Sequence, residues 1–134
     1  MNYSFSLSHD GKVIETKWMG NLTGEIIATG SDKRKTWIEK NTKEIPLVLL
    51  SDYTEADVEK VTADGLRIVA SRFRGIEDNY PGVYWIAIMP TDLKFGLARM
   101  WQSFADELFS NTHVVRSRDD AEKLISSFIA GQEG

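Results

Sequence analysis

The N-terminal segment alternates between apolar and polar side chains in the manner of a β-hairpin. Tyr3–Ser8 alternates one apolar residue with one serine, which is the period of a half-buried strand. His9–Lys12 then supplies turn-forming residues, and Gly11 tolerates a positive φ. Val13–Met19 follows as the returning strand. We therefore predict that the chain opens with two antiparallel strands.

Two later segments are apolar without alternation, which is typical of strands covered on both faces. They are Ile45–Leu50 and Val83–Met89. Pro46 is compatible with the first of them, because a proline near the start of a strand loses little ladder bonding. We predict one more, short strand at His113–Arg116.

Two helices are predicted between these strands, from apolar residues spaced three and four apart. Thr23 caps the first, whose basic run Lys33-Arg34-Lys35 we expect mostly on the solvent side. Thr54–Gly75 is predicted to be the second, with an interruption near Thr62–Gly65. Its first residues, Thr54–Asp57, resemble a capping box with Asp in place of the usual Glu or Gln.

Two more helices complete the pattern. Thr91 caps a helix from Asp92 to about Phe109, with an apolar stripe at Leu93, Leu97, Met100, Phe104 and Leu108. The last helix is predicted over Asp119–Ala130, and we expect residues 131–134 to form a flexible tail. The element order is ββαβαβαβα. It predicts one α/β domain over residues 1–130, with a four- to five-stranded mixed sheet flanked by helices.

Composition excludes several classes of site. The chain has 134 residues, no cysteine and two histidines, so we expect no metal and no cofactor. Its formal net charge of −4 argues against binding to nucleic acid. No apolar run approaches the roughly 20 residues of a membrane span, and no signal peptide is recognisable, so we expect a cytoplasmic protein rather than a membrane protein.

Two stretches resemble a known family. Residues 86–100, IAIMPTDLKFGLARM, are similar to a strand–turn–helix passage of a SpoIIAA-like branch. Val114-Val115-Arg116 followed by residues 119–122, DDAE, is similar to the final strand and helix of the same branch. Together with the element order, they resemble the SpoIIAA-like or STAS-like family, named for the anti-sigma-factor antagonist of sporulation. The resemblance covers nearly the whole chain and implies a bacterial protein that binds other proteins.

The same resemblance singles out the start of the second helix. The family carries an Asp-Ser-Ser-Gly-Leu run there, in which a partner kinase phosphorylates the second serine. The nearest match is Thr62-Ala63-Asp64-Gly65-Leu66, in which Asp64 occupies the serine position. An aspartate carries a fixed charge, so this alignment implies that the kinase switch is lost. The other interpretation is that Asp64 and Gly65 belong to ordinary helix capping.

The histidines do not point to catalysis. His9 lies in the predicted hairpin turn, and His113 opens a short strand. Neither is expected at the carboxyl end of a buried parallel strand, where open α/β sheets usually hold their ligands. The chain also lacks a nucleophile elbow, a phosphate-binding glycine loop and a His-Glu-x-x-His motif. We therefore predict that it is not an enzyme.

Polar residues follow both buried strands, at what would be one edge of the sheet. Asp52 and Thr54 follow the first, and Thr91 and Asp92 follow the second, beside helix N-termini with free N–H groups. With Asp64 and Gly65 they form a candidate face for a protein partner or an anion. The competing interpretation is that Thr54, Thr91 and Asp92 are helix caps.

Aromatic residues and methionine are in excess on the third predicted helix. Phe95 and Trp101 lie outside its apolar stripe, and with Met100 they mark either an apolar interface or a ligand groove. We expect a homodimer or a partner contact through this helix. The leading prediction is a non-enzymatic, regulatory protein-interaction module. The alternative is a carrier of a small hydrophobic ligand such as a lipid, which requires an enclosed apolar cavity of several hundred Å3 (on the order of the ligand pockets of other proteins).

Overall fold

The computed structural model describes residues 2–72, 79–105 and 111–133. In chain order its elements are β1 (Tyr3–Ser8), β2 (Val13–Asn21), α1 (Gly24–Asn41), β3 (Val48–Asp57), α2 (Ala63–Arg72), β4 (Tyr84–Ile88), α3 (Asp92–Ala105), β5 (Thr112–Val115) and α4 (Arg118–Glu133). The predicted order ββαβαβαβα is confirmed for these residues.

The five strands form one mixed sheet in the order β1-β2-β3-β4-β5. β1 and β2 are antiparallel, with Ser8 opposite Val13, and the remaining neighbours are parallel. The hairpin turn has positive φ at His9 (53°), Asp10 (57°) and Gly11 (83°). The predicted hairpin and the mixed sheet are both confirmed.

Helices cover both faces of the sheet. The strand order from β2 to β5 advances in one direction, and α1, α2 and α3 share one core on the same face, as crossovers of a single hand require. α4 follows the last strand and packs on the other face through Ala121 and Ile125. Leu49 and Trp85 belong to the core beneath α1–α3, whereas Val48, Leu50 and Ile86 belong to the core beneath α4. β3 and β4 are therefore buried on both faces, as the unbroken apolar runs predict.

β3 is longer than predicted, and the predicted helix Thr54–Gly75 is wrong over its first residues. Thr54 lies inside β3, which continues to Asp57, and α2 begins only at Ala63. The extension pairs with the end of β2, where Met19 lies opposite Glu55 and Asn21 opposite Asp57. These ladder bonds and the burial of Ala56 outweigh the local capping pattern. Gly75 lies outside the described residues.

The exposed and buried faces of α3 also differ from the prediction. Leu93 and Met100 are exposed, whereas Trp101 is buried together with Ala98 and Ala105. The small alanines allow α3 to approach the sheet closely, so this face turns inward. The predicted end of this helix at Phe109, and Leu108 in its stripe, lie outside the described residues. α4 runs to Glu133, three residues beyond the predicted boundary at Ala130, and its first residue is Arg118.

Arg34 is the clearest departure from the solvent side predicted for the basic run of α1. Its side chain is only 4% exposed, and it faces the sheet, where Nη1 reaches the hydroxyls of Thr16 and Ser51. The neighbouring Lys33 and Lys35 are exposed, as predicted. Arg34 is four residues from the buried Gly30 and Ile38, so it shares their helical face.

Candidate functional site

The carboxyl ends of β3 and β4 meet at one edge of the sheet, which we call the acidic edge. It comprises Asp52, Thr54, Asp64, Thr91 and Asp92. Asp52 lies opposite Ile88, the last residue of β4, while β3 itself continues along β2 to Asp57. Lys94 in the first turn of α3 joins the two strand ends, because its Nζ donates a hydrogen bond to the Thr54 carbonyl at 3.2 Å.

Asp52 is already fully engaged within the chain. Its Oδ1 accepts hydrogen bonds from the Thr54 backbone N–H (2.9 Å) and hydroxyl (2.6 Å), and its Oδ2 accepts one from Arg118 Nη2 (2.9 Å). Partial burial acts to raise the pKa of the Asp52 carboxyl, but the Thr54 bonds and Arg118 together outweigh it and hold that pKa below its ordinary value. Asp52 is therefore charged and stabilises the acidic edge from within the chain.

Arg118, at the start of α4, connects three elements. Its Nη2 also donates to Glu15 of β2 at 2.5 Å, so one guanidinium bridges β2, β3 and α4. Neither Arg118 nor Arg116 is among the residues predicted from the sequence. Both follow β5, the last parallel strand, so the strand-end position that singled out the residues after β3 and β4 is a signal that could have found them.

Thr91 caps α3, as the competing interpretation stated. Its hydroxyl accepts a hydrogen bond from the Lys94 backbone N–H (3.3 Å), and its carbonyl accepts one from the Phe95 N–H. The Asp92 side chain is 96% exposed and pairs with Arg116 Nη1 at 2.7 Å. The Arg116 guanidinium in turn lies 4.4 Å from the centroid of the Phe95 ring. Thr54 caps no helix, since it is part of β3.

Asp64 and Gly65 lie in the first turn of α2 and have different surroundings. Thr62 provides the cap, because its hydroxyl accepts a hydrogen bond from the Gly65 N–H at 3.0 Å. The Asp64 side chain is 90% exposed and forms an ion pair with Arg67 at 2.8 Å. Gly65 faces Gly24 of α1 so closely that a Cβ on Gly24 would lie 2.4 Å from the Gly65 Cα. Gly65 therefore belongs to a close helix contact in which Gly24 cannot carry a side chain without displacement of the backbone.

The three residues of the apolar prediction do not form one surface. Met100 is 41% exposed, while Phe95 is partly buried beneath Arg116. Trp101 is 3% exposed, and its ring centroid lies 4.4 Å from that of Trp85. Trp101 also lines a cavity between the sheet and α1–α3, with a volume of about 40 Å3. This volume is far below the several hundred Å3 that a lipid carrier requires.

The two histidines lie away from the acidic edge. His9 Nδ1 is 2.9 Å from the Ser8 hydroxyl, and Nε2 is 2.9 Å from Glu122 Oε2, so the ring ties the hairpin turn to α4. His113 lies in β5 with its ring beside Phe128, and burial lowers its pKa. Among the described residues, no group of three or more His, Asp or Glu could hold a metal ion, and no helix is long and apolar enough to cross a membrane.

Comparison with solved structures shows which known fold the chain resembles. The chain is similar to the anti-sigma factor antagonist SpoIIAA in its unphosphorylated form, with a TM-score of 0.58 and 12% identity over 92% of this chain and 97% of that one. It is also similar to an uncharacterized DUF3478-family protein from Shewanella loihica PV-4 with a SpoIIAA-like fold, with a TM-score of 0.55 and 16% identity over 91% and 90% of the two chains. Neither a protein-family model nor a curated protein sequence matches the chain. The predicted resemblance to the SpoIIAA-like fold is thus confirmed.

Proposed function

We propose that this chain is a non-enzymatic protein-interaction module with a regulatory role, and that its acidic edge contacts the partner. The observation that carries the proposal is the exposure of Asp64 and Asp92, at 90% and 96% of their side chains. Each is held by a single described ion pair at the surface, and such pairs contribute only about 0–1 kcal/mol. Basic groups of a partner can therefore replace Arg67 and Arg116 at little cost.

The similarity to SpoIIAA supports the class of function. That protein is an anti-sigma factor antagonist, and the structure of it that resembles this chain is the unphosphorylated form. In this chain Asp64 lies in the first turn of α2, where its charge complements the helix dipole. A carboxylate at this position cannot be switched by a kinase, so we infer an interaction with a permanently charged α2 N-terminus.

Two observations favour binding over catalysis. Ser8, His9 and Glu122 have the residue types of a hydrolase triad, but they lie at the amino end of β2, away from the edge where open α/β sheets hold their ligands. Asp52, at the correct edge, already accepts hydrogen bonds from Thr54 and Arg118 on both of its oxygens. The lipid-carrier alternative has no support, because the cavity of about 40 Å3 is too small.

A quantitative pull-down tests this proposal. The full chain, the variants Asp64→Ser and Asp64→Asn, and a control variant are each immobilised. The control, Glu44→Gln, removes an exposed carboxylate at the amino end of β3. We expect the wild type and the control to retain the same protein in near-stoichiometric amounts. Both Asp64 variants should bind it roughly two- to fivefold more weakly, as loss of a surface charge contact implies.

The outcomes separate the two parts of the proposal. Equal retention by all four proteins would keep the interaction module but exclude Asp64 from its contact face. If the wild type retains no partner in stoichiometric amounts, the module itself is excluded. Calorimetric titration with the purified partner then measures each Kd directly.

A further inference from the structure

A buried arginine with no counter-charge among the described residues lies beneath α1. The Arg34 side chain is 4% exposed, and its two hydrogen bonds are long: Nη1 lies 3.5 Å from the Thr16 hydroxyl and 3.4 Å from the Ser51 hydroxyl. Both acceptors are neutral. No carboxylate of the described residues pairs with Arg34, although other cations there do form carboxylate contacts, namely Lys17, Arg67, Arg72, Arg116 and Arg118.

The described neighbours of Arg34 do not balance its positive charge. A guanidinium does not lose its proton under ordinary conditions, so Arg34 cannot relieve its burial by becoming neutral. Buried charges in proteins are normally paired, because hydroxyl dipoles alone do not offset the loss of hydration. The hydroxyl oxygens of Thr16 and Ser51 accept hydrogen bonds from Arg34. Their hydroxyl hydrogens therefore remain available to donate to a further acceptor.

The cavity beneath α1–α3 provides the space for such an acceptor. Arg34 and Ser51 line its polar part, and Lys94 lines it as a second cation. The rest of the wall is mainly apolar and includes Trp18, Trp85 and Trp101. Its volume of about 40 Å3 exceeds the roughly 10–15 Å3 that a cavity needs to hold one water molecule. Within the part of the chain that the structure describes, no carboxylate residue lines this cavity.

We propose that this cavity is a binding site for one small monovalent anion, a halide or a short carboxylate such as formate, held by the Arg34 guanidinium and the Ser51 hydroxyl, which both line it. A water molecule in the cavity would accept a hydrogen bond but supply no charge. A lipid would exceed the volume of the cavity. The site adjoins the acidic edge through Lys94, but it does not depend on the proposed partner.

Anion titrations of the full chain test the site. The protein is prepared in gluconate, an anion too large for the cavity, and then titrated at constant ionic strength with chloride, bromide or formate. Thermal unfolding and the 35Cl NMR linewidth report binding, and bromide quenching of tryptophan fluorescence reports proximity to the three cavity tryptophans. We expect saturable effects in the wild type. Tighter binding of formate identifies a carboxylate site, and tighter binding of chloride identifies a halide site.

Variants test which residues bind the anion. Arg34→Met keeps much of the side-chain volume and should weaken anion binding by at least about tenfold, as loss of a charged hydrogen-bond donor implies. The matched control Arg72→Met removes an exposed arginine that pairs with Asp32, and it should bind anions as the wild type does. Ser51→Ala should weaken binding less than Arg34→Met. If Arg34→Met fails to fold, the titrations of Ser51→Ala and the wild type decide whether the cavity binds the anion. A wild type without saturable binding, or variants at Arg34 and Ser51 that bind as tightly as the wild type, would overturn the proposal.

Discussion

The contact between Gly24 and Gly65 provides a sharp test of how α1 and α2 are held together. An ideal Cβ on Gly24 would lie 2.4 Å from the Gly65 Cα and 2.6 Å from the Gly65 carbonyl carbon and oxygen. All three atoms belong to the backbone, so no side-chain rotation can relieve the clash. Gly24→Ala must therefore displace one helix from the other. Since α1 and α2 both pack on the same core, the displacement disturbs that core as well.

The expected cost follows from this geometry. Overpacking a well-packed region costs about 1–3 kcal/mol, while alanine returns at most about 1 kcal/mol through its helix propensity. For a domain of this size each kcal/mol corresponds to roughly 3–5 °C in Tm. We expect Gly24→Ala to lower the free energy of unfolding by about 1–3 kcal/mol and the Tm by roughly 3–15 °C. Urea denaturation and calorimetry measure the two quantities.

Two matched substitutions make the experiment decisive. A Cβ on Gly65 would lie 3.2 Å from the Gly24 Cα and from the Thr62 hydroxyl oxygen, so Gly65→Ala should cost less than Gly24→Ala. Gly96, within α3, has no atom within 4 Å of the added Cβ, so Gly96→Ala should be neutral or stabilising by up to about 1 kcal/mol. A Gly24→Ala protein as stable as the wild type, beside a stabilised Gly96→Ala, would refute the close helix contact.

Two further predictions concern the acidic edge and α3. Because the folded chain holds the pKa of Asp52 below its ordinary value, Asp52 contributes stability above about pH 4 that is lost as the pH falls through the lower, folded pKa. In urea titrations, Asp52→Asn should therefore have a lower free energy of unfolding than the wild type at pH 7 and should lose less of it between pH 7 and pH 3. Parallel curves of unfolding free energy against pH for the two proteins would contradict the role of Asp52. Leu93 and Met100, both exposed on α3, are expected to support self-association, so the wild type should dimerise in light scattering at high concentration and the double variant Leu93→Glu, Met100→Glu should remain monomeric. A monomeric wild type would exclude this interface.

Hydrophobic periodicity predicted the order of the elements because each element buries a face that its own residues define. It failed at Thr54, where the local pattern fits a helix cap but pairing with Met19 and Asn21 extends β3 instead. That competition depends on residues distant in sequence, which a local pattern does not contain. On α3 the excess of apolar residues allows several rotations of the helix about its axis, and the small side chains of Ala98 and Ala105 select one.

The candidate site was harder to predict than the fold, for a related reason. Strand-end reasoning identified Asp52, but its role is determined by Arg118, which is 66 residues away in the sequence. Arg34 lies in a basic run that local charge assigns to solvent, and only its four-residue spacing from Ile38 indicates the interior. A charged residue at a core-facing position of an otherwise apolar stripe therefore carries more information than the charge of its neighbours.

The acidic edge thus contains carboxylates with two physically different roles. Asp52 is bound by Thr54 and Arg118 inside the chain, whereas Asp64 and Asp92 each form an exposed ion pair. Removing the Asp52 charge leaves Arg118 with one fewer partner and should reduce stability. Removing the charge of Asp64 or Asp92 breaks only a surface pair, which contributes about 0–1 kcal/mol, so stability should change little while binding weakens. Measuring stability and binding on the same variants therefore distinguishes a supporting carboxylate from one that contacts the partner.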